Sequence, residues 1–234
     1  MAAICCLALG ACKKSEKAAP KEQIKLLSRV TETDANGEPI NSVSITYDSK
    51  NRMIKKGGRT YNYTGDDLTS IIDGTNVYTF KYVNGVPVSM HFSAPPLEED
   101  YTYTVSEGVV IKRERADNYS HLFTYVDHNC TAMKQLNTNS TFTYTFSADK
   151  NPYYNPTCKY LLLISPEDDN HYNKNVFYES YYQHSPFRGS QNSYSVGPDG
   201  YPKSSVIKTT SIEDPDAFIS RYYTYEYVMR DVVR

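Results

Sequence analysis

Ser44-Ile45-Thr46-Tyr47-Asp48-Ser49-Lys50-Asn51-Arg52-Met53-Ile54 reads as an alternating strand, a short polar turn and a second apolar strand. The unit returns as Tyr61-Asn62-Tyr63-Thr64-Gly65-Asp66-Asp67-Leu68, and then as Phe80-Lys81-Tyr82-Val83-Asn84-Gly85-Val86. Tyr101-Thr102-Tyr103, Phe123-Thr124-Tyr125 and Phe142-Thr143-Tyr144 repeat it. The closing tyrosines Tyr47, Tyr63, Tyr82, Tyr103, Tyr125 and Tyr144 are separated by 16, 19, 21, 22 and 19 residues. Self-similarity at a period near twenty marks an array of stacked supersecondary units.

Within each unit the period is two. Val43, Ile45 and Tyr47 oppose Ser42, Ser44 and Thr46; Tyr101, Tyr103 and Val105 oppose Asp100, Thr102 and Thr104. Phe142, Tyr144 and Phe146 oppose Thr141, Thr143 and Thr145, and Tyr223, Tyr225 and Tyr227 close the series. An aromatic side against a threonine side predicts antiparallel strands with one packed and one wet face. Asp34-Ala35-Asn36-Gly37, Gly57-Gly58, Asp73-Gly74, Asn84-Gly85 and Glu107-Gly108 are turn signals between them. The expected fold is all-β: a meander of tandem antiparallel hairpins in a strongly curled sheet or partly open barrel, since twist accumulates and bare edges invite pairing.

The regularity breaks at Asn151. From there to Gly189 the chain is rich in Tyr and Asn, carries an acidic turn at Glu167-Asp168-Asp169-Asn170, and reads as a non-repeating loop. Long irregular loops concentrate function. Tyr153, Tyr154, Tyr172, Tyr178, Tyr181 and Tyr182 are therefore the candidate ligand-contact residues. The competing reading makes the segment a cap on an open sheet edge. Gly197-Pro198-Asp199-Gly200-Tyr201 then restores the hairpin pattern.

Tyrosine supplies 23 residues, against 8 Phe and no Trp. Its ring packs while its hydroxyl stays bonded or wet, which suits a strand with one packed face. A net charge of -2 leaves no electrostatic footprint for nucleic acid.

Ala2 to Ala11 are small and apolar and end in Leu9-Gly10-Ala11-Cys12. This resembles the bacterial lipobox, in which a peptidase cuts before a cysteine that then carries lipid. Residues 1–11 are then a signal peptide, Cys12 is the lipidated residue, and 12–23, charged and poor in large apolar groups, form a flexible tether. A complete signal has a basic n-region, so the native start is expected upstream of Met1. A single domain is expected over 24–234. Export implies an oxidising compartment. Two separate buried thiols at Cys130 and Cys158 are the first expectation, and a disulfide between them the alternative.

Tyr47-Asp48-Ser49-Lys50-Asn51-Arg52-Met53 resembles one copy of the YD repeat: Tyr-Asp, two spacers, Gly-Arg, then an apolar residue. Asn51 stands in the Gly position and tolerates left-handed backbone. The copies at Tyr63 and Tyr125 keep the tyrosine and the turn without Gly-Arg. Together with Cys12, the Asn151-Pro152-Tyr153 break and the Asp199-Gly200-Tyr201-Pro202 hairpin, the pattern is similar to small envelope lipoproteins of the Bacteroidetes type, whose shared domain has no assigned function. The resemblance implies a hairpin array at the outer membrane, attached through lipid, and carries over no catalytic residue.

No motif for metal, phosphate or nucleophilic chemistry is present, and no cofactor is expected. His91, His121, His128, His171 and His184 lack metal spacing and are expected as solvated residues. The resulting expectation is a non-catalytic binding or scaffold module whose partners are the membrane, through lipid, and a glycan or another envelope protein. Two alternatives stand beside it. One is an envelope glycan or peptidoglycan hydrolase; the other is a carrier of an apolar ligand inside a barrel.

Overall fold

The structure is a computed structural model that describes residues 22–154, 173, 175–183, 190–210 and 218–232. These contain sixteen strands and no helix: β1 (Gln23–Thr33), β2 (Pro39–Tyr47), β3 (Met53–Lys56), β4 (Arg59–Thr64), β5 (Asp67–Asp73), β6 (Asn76–Val83), β7 (Val86–Ala94), β8 (Leu97–Ser106), β9 (Val109–Arg115), β10 (Ser120–Val126), β11 (Asn129–Gln135), β12 (Ser140–Lys150), β13 (Asn175–Gln183), β14 (Ser190–Val196), β15 (Pro202–Thr210) and β16 (Phe218–Asp231). Each strand pairs antiparallel with the next, and β1 pairs with β16, so the meander closes into a barrel. The ring is thinnest at β3/β4 and β13/β14, where two residue pairs hold each junction. The expected meander of antiparallel hairpins in a strongly curled, barrel-shaped sheet is thus present.

Every second strand carries a bulge at the same place. The register slips beside Tyr47, Tyr63, Tyr82, Val105 and Tyr125, just before each hairpin turn. One extra residue on the returning strand changes its inward spacing from two to three. Leu68 and Ile71 are both buried, as are Pro87 and Met90, Val110 and Arg113, Cys130 and Met133, and Pro202 and Ser205. Pro87 and Pro202 sit opposite the slip, where a missing N–H costs the ladder least.

The buried side faces inward. Leu27, Ile45, Met53, Tyr61, Ile71, Phe80, Met90, Tyr101, Phe123 and Met133, drawn from strands around the ring, form one apolar cluster. Ile71 is 0% exposed and Met53 1%. The opposite face carries Ser44, Thr46, Asn62, Lys81, Asp100, Thr102, Thr124 and Glu226, all exposed.

In an up-and-down barrel alternate turns share an end. The start of β1, the end of β16, and the β2/β3, β4/β5, β6/β7, β8/β9, β10/β11 and β14/β15 turns therefore lie together, with the stretch that follows β12. This is the proximal end, where the chain enters the barrel.

Part of the segment that breaks the repeat is itself wall. β13 lies between β12 and β14, so residues 175–183 are strand and not loop. The tyrosine alternation is too short there, and too mixed with Asn and Ser, for period two to stand out. The acidic turn, Cys12 and Cys158 lie outside the described residues.

Candidate functional site

A cleft of about 670 Å³ opens at the proximal end, where β1, β16, the end of β12 and the β14/β15 turn meet. The turn fixes one wall. Gly197 N–H bonds to Tyr201 O at 2.9 Å and Gly200 N–H to Gly197 O at 3.0 Å, with Gly200 at φ 79°, a left-handed value that favours glycine. Asp199 and Tyr201 are thereby aimed at the start of β1.

Lys25 reaches them from β1. Its ammonium pairs with the Asp199 carboxylate and lies 4.9 Å from the ring centre of Tyr201 and 4.5 Å from that of Tyr227. Lys150 arrives from β12, donates to Asp199 O at 3.0 Å and lies 4.7 Å from the same Tyr201 ring. Cations over tyrosine faces are stabilised by the ring quadrupole. The hydrogen bond from Lys25 holds the Asp199 carboxyl below its usual range, and burial with nearby Asp199 raises the Tyr201 hydroxyl. Glu22, Gln23, Ile24, Asn51, Met229 and Val232 complete the lining. The sequence showed Asp199 to Pro202 only as a turn. Lys25 and Lys150 carried no signal, because they become neighbours only when the first strand meets the last.

Beside the cleft the chain leaves the wall. Lys150 N–H bonds to Gly200 O at 3.0 Å, which carries β12 to the β14/β15 turn. Asparagines replace the ladder left behind. Asn173 Oδ1 accepts from Cys130 N–H at 2.8 Å, Asn129 Oδ1 from Asn175 N–H at 2.9 Å, and Asn151 Nδ2 donates to Asn173 O at 2.8 Å. Asn129, Asn151 and Asn173 are buried, so these bonds satisfy groups that would otherwise be costly.

This geometry places the expected contact residues. Tyr153 is half-buried, edge-on to Tyr225 at 6.3 Å with Lys56 5.2 Å from its ring; burial among Tyr194, Tyr223, Tyr225 and Tyr227 pushes its hydroxyl well up. Its ring packs on the core instead of standing on an outer surface. Tyr154 is half-buried. Tyr178, Tyr181 and Tyr182 belong to β13, with Tyr181 paired to Thr143 and Tyr182 to Phe142. Tyr172 lies outside the described residues. Cys130 is a buried free thiol, pushed up to about 12 by desolvation.

A second polar cluster lies inside the far end. Arg113 takes an inward position of β9 and His121 one of β10; Nη2 and Nδ1 are 3.3 Å apart and both residues are buried. His121 was expected in solvent and is 3% exposed. Inward alternation on β10, shared with Phe123, explains its place. Burial and Arg113 lower its pKa to about 4, so the imidazole is neutral. Tyr119 meets it edge-on at 4.6 Å, and Arg115 ties Glu99 and Asp117 around it. His91, by contrast, is outward and half-exposed between Glu98 and Asp100, each at 2.9 Å. Among the described residues no group of three His, Cys, Asp or Glu side chains is arranged to hold a metal ion.

Two solved structures resemble this fold. One is a porin-like protein from Bacteroides uniformis, with a TM-score of 0.57 and 14% identity over 90% of this chain and 98% of that one. The other is a porin-like protein from Bacteroides vulgatus, with a TM-score of 0.51 and 12% identity over 88% and 99%. At such identity the likeness is one of fold. No family model matches the chain. No curated protein matches it.

Proposed function

We propose that this chain is a lipid-anchored, non-catalytic binding or scaffold module of the bacterial cell envelope, with its barrel standing in water beside the outer membrane. The YD-repeat-like pattern and the lipobox-like Leu9-Gly10-Ala11-Cys12 motivate the anchor, and the two porin-like neighbours agree with an envelope setting. The observation that carries the reading is the polarity of the wall. A spanning barrel is apolar outside and polar within. This wall is the reverse, with Phe80, Met90, Tyr101 and Met133 inside and Arg29, Lys55, Lys81, Asp100, Lys134, Lys208 and Glu226 outside. An outward Lys or Arg at a bilayer midplane costs about 2–4 kcal/mol. β3 has 4 residues and β4 has 6, against the roughly 9–11 that a spanning strand needs.

The other two readings fare worse. A carrier needs a hollow interior, and the inward side chains Leu27, Met53, Ile71, Phe80 and Met90 of the described strands are buried against one another in one apolar cluster. A glycan hydrolase needs a carboxylic acid held protonated. The Asp199 carboxyl of the cleft is held the other way, by Lys25.

The test is membrane partition of the chain expressed with a complete bacterial lipoprotein leader. The native form should enter the detergent phase and Cys12→Ala the aqueous phase, with equal melting temperatures. Retention of the Cys12→Ala form in the membrane would overturn the reading.

A further inference from the structure

We propose that the proximal cleft is a binding site for an acidic sugar, a uronic acid unit of a glycan, with its carboxylate held between Lys25 and Lys150. The proposal deepens the reading of the chain as a binding module and rests on it.

The volume comes first. About 670 Å³ lies within the roughly 300–1,000 Å³ usual for small-ligand sites and takes two or three sugar rings. Charge comes second. Two ammonium groups from distant strands converge on one tyrosine ring, each under 5 Å from its centre. The Asp199 side chain pairs with Lys25, while Lys150 reaches only the backbone carbonyl of Asp199. Both ammonium groups line the cleft, each with three donors, beside the carboxylates of Asp199 and Glu22, so an incoming anion finds charge-assisted donors on two strands. A carboxylate accepts from both at once.

The rest of the lining points to a sugar over a simple anion. Gln23, exposed at the start of β1, brings an amide, which both donates and accepts as a hydroxyl group does, beside Asn51, whose Nδ2 donates to Asp231 O at 2.8 Å. Met229 and Val232, both exposed, offer an apolar floor to the C–H face of a ring. Inorganic phosphate has no use for that floor.

The site also lies where a tethered module meets its surroundings. Its lining includes Glu22 and Gln23, the first described residues, so the cleft opens at the end where the chain enters.

The experiment titrates the full chain carrying Cys12→Ser with a uronic acid trisaccharide, its carboxyl-reduced neutral counterpart and inorganic phosphate, followed by calorimetry. The acidic trisaccharide should bind at least tenfold more tightly than the other two and weaken as salt is raised. Lys150→Met, at an exposed position, should weaken it at least fivefold with an unchanged melting temperature, and Lys25→Met likewise. Equal affinity for the neutral sugar, equal affinity for phosphate, no binding, or unchanged affinity in Lys150→Met would each overturn the proposal. Membrane partition of Cys12→Ala is read separately, so loss of the cleft site leaves the anchored-module reading standing.

Discussion

Tyrosine dominates this sequence because its hydroxyl has a structural task that phenylalanine cannot perform. Tyr47 donates to Leu27 O at 2.7 Å, Tyr63 to Met53 O at 2.9 Å, Tyr125 to Val110 O at 2.9 Å and Tyr227 to Pro202 O at 2.6 Å. Each acceptor lies on the preceding strand beside a register slip. A bulge disrupts the ladder locally, and the next unit's tyrosine satisfies the carbonyl there. Tyr63→Phe should therefore lower the unfolding free energy by about 1–2 kcal/mol, and Tyr125→Phe by as much, because a carbonyl near the core loses its donor. Urea midpoints at unchanged slope measure it, and a shift below about 0.3 kcal/mol in both would refute the capping role. His121 gives a pH signature. Its folded pKa lies near 4, below the ordinary 6.5, so the unfolded chain takes up the proton first as the solution is acidified. Stability is intact above about pH 6.5 and falls between there and about pH 4, by up to about 3 kcal/mol. In His121→Phe that part of the pH slope should vanish; a wild-type slope persisting unchanged in the variant would assign it to other groups. Cys130 belongs to the same class of buried structural groups. Its thiol should stay unlabelled by a maleimide at pH 8 until the protein unfolds.

At the scale of elements, the first strand of each hairpin was legible and the second was not. Alternation at Tyr61-Asn62-Tyr63 or Phe80-Lys81-Tyr82 depends only on local backbone, so period two survives into the structure. On the returning strands a bulge makes the inward spacing three, as in Leu68 and Ile71, and no single strand announces that. The turns were legible for a related reason. Asn84 at φ 52° and Gly85 at φ 72° take the left-handed pair that an Asn-Gly hairpin requires. Asp48 fixes the β2/β3 turn by accepting from Lys50 N–H and Arg52 N–H, each at 2.9 Å, and from Arg52 Nε at 2.7 Å. The Tyr-Asp…Arg pattern is therefore the trace of one turn's geometry. What sequence could not show was long-range closure: β1 against β16, and with it the cleft of Lys25, Lys150 and Asp199. β13 was the other loss, and it changes an expectation. Removing Tyr172 to Ser185 deletes a wall strand, so the cooperative thermal transition should disappear and the product aggregate. A variant with near-native melting would return the segment to the status of a dispensable loop.

Over the whole molecule, one topology has been run with its polarity turned inward. Closing a sixteen-strand meander abolishes sheet edges, which is the hazard that a long array of hairpins carries. The same closure serves a pore when the wall is apolar outside and wet within, and a water-standing module when it is not. The distribution of Thr and Lys against Tyr, Phe and Met on the described strands supports the second, the reading proposed above, and Tyr153, after Lys150, packs against the core at the proximal mouth. On the proposed reading the inward side chains of the described strands, which would line a pore, serve as the core. Proteoliposomes prepared with the lipidated chain should therefore swell in arabinose or sucrose no faster than protein-free vesicles, and planar bilayers should show no steps in conductance. Size-dependent swelling that scales with the protein added would mean that the interior opens in lipid. The inward tyrosines would then have to be read as pore lining, and the water-standing barrel would be abandoned.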